Sequence, residues 1–181
     1  YIVIPLQDSS NNVLKHMLRH VTTEETEALL QKIKAEVPGI AIRTTMLVGH
    51  PGETDEDFEQ LKGFITKHQF DRLGAFSYSH EEGTYGYKKY EDDVPEDVKQ
   101  TRQEELMGIQ QIISSQLNTE KVGRTLKVII DREDDELIVG LTEFDSPEVD
   151  GEVLISKEIT LKKGQFYQIE ITGSVEFVLY G

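Results

Sequence analysis

The chain has 181 residues, 34 acidic and 19 basic side chains, five histidines and no cysteine, and its formal net charge is −15. An acidic surface of this kind repels phosphate and disfavours non-specific binding to nucleic acid. The lack of cysteine excludes disulfide bonds and cysteine metal ligands within these residues, and no apolar run approaches the roughly 18 residues of a membrane span. The first residue is a tyrosine without a signal sequence, so we expect a fragment or a processed chain.

Residues 1–118 alternate strand-like and helix-like segments. A capping box (Thr22 with Glu25) opens the second helix, and Pro38-Gly39 closes it. We predict strands at 1–6, 40–48 and 70–78, helices at 11–19, 22–37, 55–68 and 95–117, and a long irregular loop at 79–94. Strands alternating with helices of this length favour βαβ units around a parallel sheet.

Residues 119–181 change to a period of two, typical of half-buried strands. We predict five short strands at 126–130, 137–141, 151–155, 166–172 and 175–179. Their spacing and the intervening glycines favour a small closed antiparallel barrel of the OB type. We place the boundary between Asn118 and Gly123, which gives two domains, 1–118 and 119–181.

The segment 44–54 runs from an apolar strand through a glycine-rich turn into a helix. Gly49 and Gly52 permit positive φ, and Thr54 with Asp57 is typical of an N-cap pair. The N–H groups at the start of such a helix can hold a polar or anionic group. A tight strand-to-helix connection without a ligand explains the segment equally well.

The strand before this turn presents two different faces. Alternation puts apolar residues and Thr44 on the face that packs under helices, and it puts Arg43, Thr45, Leu47 and Gly49 on the other. A buried arginine needs an anion or a carboxylate. Arg43 therefore points into a ligand-bearing cavity, pairs with an internal acid, or lies exposed at the start of the strand.

Polar residues follow all three predicted strands where these end. Gln7 and Asp8 follow the first strand, His50 the second, and Tyr78 and Ser79 the third. In a parallel sheet these ends lie side by side, which is the usual place for a ligand. No Ser-His-Asp or metal-ligand pattern accompanies them, and histidines placed like His50 and His80 are more often solvated loop residues than bases. The residues alone therefore indicate a binding half-site.

Four segments together resemble one enzyme family. They are PLQ with VLKHMLR (5–7 and 13–19), RTTMLVGHPGET (43–54), FDRLGAFSYSHEEGT (70–84) and SPEVDG (146–151). The first two are similar to the radical S-adenosylmethionine methylthiotransferases. The last two are closer to the branch that acts on ribosomal protein uS12. The resemblance runs through nearly the whole chain in order.

Membership would imply the second half of a (β/α)₆ barrel, closed by the helix at 95–117, followed by a TRAM domain, an OB-like antiparallel barrel. The resemblance also implies a cytoplasmic enzyme with two 4Fe–4S clusters. One cluster binds S-adenosylmethionine, whose reductive cleavage gives a radical that removes hydrogen from the β-carbon of an aspartate, where a methylthio group is inserted. The family's cluster-ligating cysteines are absent here, so this chain alone should be inert.

The resemblance also assigns residues. Those implied to border the S-adenosylmethionine cavity are Gln7, Arg43, Thr45, Val48, Gly49, Pro51, Gly52, Glu53, Phe76 and Tyr78. Two positions depart from the family pattern, because His50 stands where phenylalanine is usual and Asp8 where histidine or serine is common. No catalytic or metal-ligating residue is assigned within this chain.

Charge separates the branches of the family. Residues 119–181 hold 7 basic against 14 acidic side chains, and residues 1–118 hold 12 against 20. An acidic TRAM domain suits uS12, a basic protein, better than tRNA. We predict docking of uS12 through Asp131, Glu133, Asp134, Asp135, Glu136, Glu143, Asp145, Glu148 and Asp150.

Two other functions remain open. The chain could be a non-catalytic protein-binding module, or part of a methylthiotransferase that modifies tRNA. Whichever function holds, a half barrel would leave its first strand at a sheet edge, where we expect either edge-to-edge association or disorder near Tyr1.

Overall fold

The computed structural model describes residues 1–134, 136–147 and 150–181. It divides into two compact units, one of residues 2–110 and one of residues 111–181 together with Tyr1. In the described part of the chain no helix is both long enough and apolar enough to cross a membrane.

The first unit contains three strands and the helices that connect them. Its elements are β1 Ile2–Gln7, α1 Asn11–His16, α2 Thr23–Glu36, β2 Ile42–Val48, α3 Asp55–His68, β3 Arg72–Ser77, α4 Tyr85–Lys89 and the beginning of α5 Glu96–Thr119. Thr22 with Glu25 and Thr54 with Asp57 form reciprocal capping boxes at α2 and α3, which confirms both predicted helix starts.

The three strands form a parallel sheet in the order β1-β2-β3. Ile42, Thr44, Met46 and Val48 of β2 are at most 1% exposed, whereas Arg43, Thr45 and Leu47 are half-buried. Thr45 pairs with Gly74 and Leu47 with Phe76 in the register of β2 and β3. The predicted two-faced strand is therefore confirmed. We call the half-buried side of this sheet the open face.

The loop predicted as irregular at 79–94 contains α4, a short helix that sequence periodicity does not reveal. Thr84 is its N-cap and accepts a hydrogen bond from the Tyr87 N–H. One turn of helix is too short to show a period of 3.6 residues. At the other end of the unit, α1 stops at His16, three residues before the predicted end, because Leu18 adopts a positive φ of 57°.

The second unit is a curled six-stranded sheet. Its strands are β4 Thr125–Glu133, β5 Leu137–Thr142, β6 Glu152–Ser156, β7 Phe166–Glu170, β8 Gly173–Ser174 and β9 Val178–Tyr180, in the order β7-β4-β5-β6-β9-β8. The core consists of branched aliphatic side chains, namely Val128, Ile130, Ile138, Val153, Ile155, Ile169, Ile171 and Leu179.

Two expectations for the second unit need correction. The strand predicted at 175–179 contains a turn, in which the Val175 N–H donates to the Val178 carbonyl, and it includes only the start of β9. β8 precedes this turn and pairs antiparallel with β9. The sheet is also not wholly antiparallel, since β6 and β9 run parallel.

Candidate functional site

A buried carboxylate holds the turn after β2 in place. The Glu53 side chain is 1% exposed, and it accepts the Gly49 N–H at 2.7 Å and the His50 N–H. Its other oxygen lies 2.7 Å from Nη1 of Arg102, whose Nη2 lies 2.7 Å from Asp55. Burial raises the pKa of Glu53, and the nearby guanidinium opposes that rise. Glu53 therefore acts as an internal brace of the turn.

The other N–H groups of this turn are also occupied. Gly52 donates to Asp93 at 2.9 Å, and Thr54 donates to Asp57 at 3.0 Å. The sequence left open whether this segment holds a ligand or is a plain strand-to-helix connection. Carboxylates of the same chain accept the N–H groups of Gly49, Gly52 and Thr54, so these three are not available to an anion. A ligand near this turn must be held by side chains and by carbonyl oxygens.

The packing of a neighbouring lysine leaves room only for glycine at position 49. Gly49 has a φ of +72°, and a Cβ atom at this position would lie 2.3 Å from Cγ of Lys99. Lys99 is 2% exposed, lies along the Gly49 backbone, and places its Nζ 2.8 Å from Asp92. The missing side chain of Gly49 therefore makes room for Lys99, a residue that the sequence analysis did not single out.

The open face carries three of the predicted cofactor-binding side chains. Arg43 and Thr45 are half-buried there, and the Phe76 ring is 57% exposed. A guanidinium can bind a carboxylate, a hydroxyl can hydrogen-bond to a polar group, and an accessible aromatic ring can stack on a base. These residues therefore fit one wall of an S-adenosylmethionine site. Gln7 ends β1 beside Met46, half-buried and with a φ of 74°.

The remaining predicted residues take other positions. The Val48 side chain is buried on the helix-facing side of β2, so that only its backbone could meet a ligand. Pro51 is buried in the turn, and its carbonyl lies 3.0 Å from Nδ1 of His50. Tyr78 packs edge-to-face on His50, with ring centroids 5.2 Å apart. The structure thus assembles a turn, an open face and an aromatic cluster.

Asp8 is a buried acid at the end of β1. It is 2% exposed, and its Oδ1 accepts the N–H groups of Ser9 and Ser10 at 2.7 and 2.6 Å. Burial raises its pKa from 3.8 to about 7; those two hydrogen bonds oppose the rise, and the nearby carboxylates of Glu53 and Asp57 add to it. Ends of adjacent strands therefore bring together acids that are far apart in sequence.

Aromatic rings border a small cavity at the carboxyl end of the sheet. His16 ends α1, His50 follows β2 and Tyr78 follows β3, while Tyr85 and Tyr90 come from α4 and its end. The cavity has a volume of about 230 Å³. Tyr90 packs edge-to-face on both histidines, at 5.5 and 5.8 Å between ring centroids. The parallel sheet confirms that the three strand ends lie side by side. We call the cavity the aromatic pocket.

The acidic residues predicted to dock a partner fall into three groups where the structure describes them. Asp131 and Asp134 lie 3.7 and 3.4 Å from Arg132, and Glu133 lies 2.9 Å from Lys157. Asp145 and Asp150 brace the following turn through Thr142 and Ser146. Glu136 and Glu143 are exposed. Asp135 and Glu148 lie outside the described residues.

Several residues of the site were missed in the sequence. Arg102 and Lys99 continue the buried stripe of α5 toward its N-terminus from Leu106, at spacings of four and three residues. Extending the helical period by two turns would have found them. Asp93 has no such signal, because it lies in the irregular stretch before α5.

Comparisons with known proteins agree with this architecture. The TRAM domain family matches residues 122–181. Among solved structures, the chain is similar to coproporphyrinogen III oxidase (HemN) from Escherichia coli, described as a radical SAM enzyme, with a TM-score of 0.54 and 17% identity over 77% of this chain and 38% of that one. That likeness concerns the fold alone. The chain thus combines part of a (β/α) barrel with a TRAM domain.

Curated proteins that are similar to this chain share one name. The chain is 56% identical over 99% of its length to "Ribosomal protein uS12 methylthiotransferase RimO" of Bacteroides thetaiotaomicron, 51% identical to the protein of that name in Parabacteroides distasonis, and 54% identical to that of Flavobacterium johnsoniae. It covers 42, 42 and 41% of these relatives. Over its 181 residues the chain is similar to proteins named RimO, and it spans less than half of their length.

Proposed function

We propose that the full-length protein containing this chain transfers a methylthio group to the β-carbon of an aspartate in ribosomal protein uS12. The observation that carries the proposal is an identity of 51–56% over essentially all of this chain to relatives named for that activity. When bound, S-adenosylmethionine and two 4Fe–4S clusters supply the hydrogen abstraction and the sulfur insertion. Cluster ligands come from outside these residues, which contain no cysteine.

This chain supplies one wall for the cofactor. Arg43, Thr45 and Phe76 on the open face would hold S-adenosylmethionine, and the turn at 49–54 would border it. The turn is rigid because Glu53 binds the Gly49 and His50 N–H groups and is itself held by Arg102. A wall whose backbone is already fixed loses little further conformational entropy on binding.

The TRAM domain supplies the docking surface for uS12. Its acids include the exposed Glu136 and Glu143, and the acids around Arg132 and Lys157 are only partly neutralised by these two cations. The excess of 14 acidic over 7 basic side chains in residues 119–181 attracts a basic protein and repels tRNA.

The test offers the two rival substrates together. The full-length protein is purified without oxygen, incubated with S-adenosylmethionine, a reductant, a sulfide source, uS12 and tRNA, and both substrates are analysed by mass spectrometry. We expect one methylthio group on an aspartate of uS12 and none on tRNA. Modified tRNA with unmodified uS12 would overturn the substrate, and modification of neither would favour a binding module.

A further inference from the structure

The aromatic pocket is too small for a whole cofactor. Its volume of about 230 Å³ lies below the range of roughly 300–1,000 Å³ in which drug-sized ligands bind. A single amino-acid side chain suits this volume better. The pocket also lies at the carboxyl ends of the parallel strands, where α/β folds hold their ligands.

The walls of the pocket favour a cation. They consist largely of tyrosine and histidine rings, and a ring face carries negative potential that attracts ammonium and guanidinium groups. The Tyr78 ring already has such a partner, because Nζ of Lys99 lies 5.4 Å from its centroid. Burial lowers the pKa of His50 and so favours its neutral form, although the hydrogen bond from its ring to the Pro51 carbonyl opposes that shift.

Acidic residues in the segment that forms part of the pocket also favour a cation. Glu81, Glu82 and Glu91 are exposed in the segment that carries Tyr85 and Tyr90, and this segment also holds Lys88 and Lys89. Asp92 is paired with Lys99 and Asp93 accepts the Gly52 N–H, but the stretch 79–93 still holds five acidic against two basic side chains. This excess of acids in the segment that carries Tyr85 and Tyr90 draws basic side chains from solution.

We infer that the aromatic pocket receives a lysine or arginine side chain of the protein substrate. The inference rests on the proposed function for the identity of that substrate, and it adds a docking point on the barrel domain to the one on the TRAM domain. Tyr85, which is 49% exposed on α4, closes over the alkyl stem of the incoming side chain.

The test compares two tyrosines on the same short helix. Tyr85 lines the pocket, whereas Tyr87 is similarly exposed but packs on His80 outside the pocket. In the full-length protein we expect Tyr85→Ala to weaken uS12 binding roughly 5- to 30-fold. Tyr85→Phe and Tyr87→Ala should leave the Kd within about twofold of wild type, as expected when only the ring matters.

Two further measurements identify the occupant. N-acetyl-arginine amide should bind the wild-type protein more tightly than N-acetyl-citrulline amide, its neutral isostere, and Tyr85→Ala should abolish that difference. The Kd for S-adenosylmethionine should be the same in Tyr85→Ala and wild type. Equal binding of the two amides, or a Tyr85→Ala effect on S-adenosylmethionine alone, would overturn the inference.

These outcomes separate the inference from the proposed function. If uS12 is not a substrate, the arginine and citrulline amides still report whether the pocket selects a cationic side chain. If uS12 is modified normally and Tyr85→Ala binds it as well as wild type does, the function stands and the pocket assignment is wrong.

Discussion

The packing of Lys99 against Gly49 makes a prediction whose size follows from the structure. An alanine at position 49 would have to keep a φ of +72° and would place its Cβ 2.3 Å from Cγ of Lys99. Positive φ costs an L-residue roughly 1–2 kcal/mol, and forcing a methyl group into a filled space costs roughly 1–3 kcal/mol. Gly49→Ala should therefore lower the free energy of unfolding by roughly 2–5 kcal/mol.

Gly39 provides the matched control. It has a φ of +78°, but nothing lies within 4 Å of the position a Cβ would occupy. Gly39→Ala should lower the free energy of unfolding only by the cost of positive φ, roughly 1–2 kcal/mol. Both substitutions restrict the unfolded chain equally, so that contribution cancels in the comparison. Urea unfolding of the 181-residue chain, followed by circular dichroism, measures both values.

A double-mutant cycle isolates the contact itself. In a Lys99→Ala background the crowding Cγ and Cδ atoms are absent, so Gly49→Ala should cost little more than Gly39→Ala does. Equal losses for Gly49→Ala and Gly39→Ala in the wild-type background would refute the argument that Lys99 dictates glycine at position 49.

Three further substitutions test the buried polar groups. Because burial raises the Asp8 pKa from 3.8 to about 7, the folded state favours the protonated acid, and the contribution of Asp8 to stability falls as pH rises from about 4 to 7. Asp8→Asn should therefore stabilise the chain by up to about 4 kcal/mol at pH 8 and hardly at all at pH 4, and a pH-independent effect would contradict the burial argument. Burial lowers the pKa of His50, so the contribution of His50 to stability is lost below about pH 6.5, where the unfolded chain takes up the proton. His50→Phe should cost about 1 kcal/mol near neutrality and less at acidic pH, and a difference from wild type that does not change with pH would argue against it. Arg102→Met should lower the free energy of unfolding by about 3–5 kcal/mol, measured by thermal or urea unfolding, because it leaves the Glu53 carboxylate buried without its cation. Adding Glu53→Gln should recover most of that loss. No recovery would mean that Arg102 stabilises the chain in another way.

The regular elements of the chain were predictable because each has a local signal. The capping boxes at Thr22 and Thr54 gave the two helix starts, and the alternation along β2 separated its two faces. Periodicity does not reveal α4, which has only five residues. It also does not reveal the turn within the last predicted strand, which allows β8 and β9 to pair. In both cases hydrogen bonds of single residues, rather than a repeating pattern, decide the structure.

The candidate site was only partly predictable. The segment 49–54 was correctly found as a turn, but its N–H groups are bound to Glu53, Asp57 and Asp93. A sequence shows that glycine can adopt positive φ, but it does not show whether the approaching atom belongs to a ligand or to a lysine fifty residues away. The near-neutral pKa of Asp8 arises in the same way, from burial beside acids that only the fold brings close.

The mass of uS12 in living cells tests the central claim most directly. Ribosomes are isolated from the source organism, from a strain lacking the gene, and from that strain complemented with the full-length gene or with the 181-residue chain alone. We predict that wild-type uS12 carries one methylthio group on an aspartate, that deletion removes it, and that only the full-length gene restores it. An unchanged uS12 mass in the deletion strain would contradict the assignment of this activity to the protein.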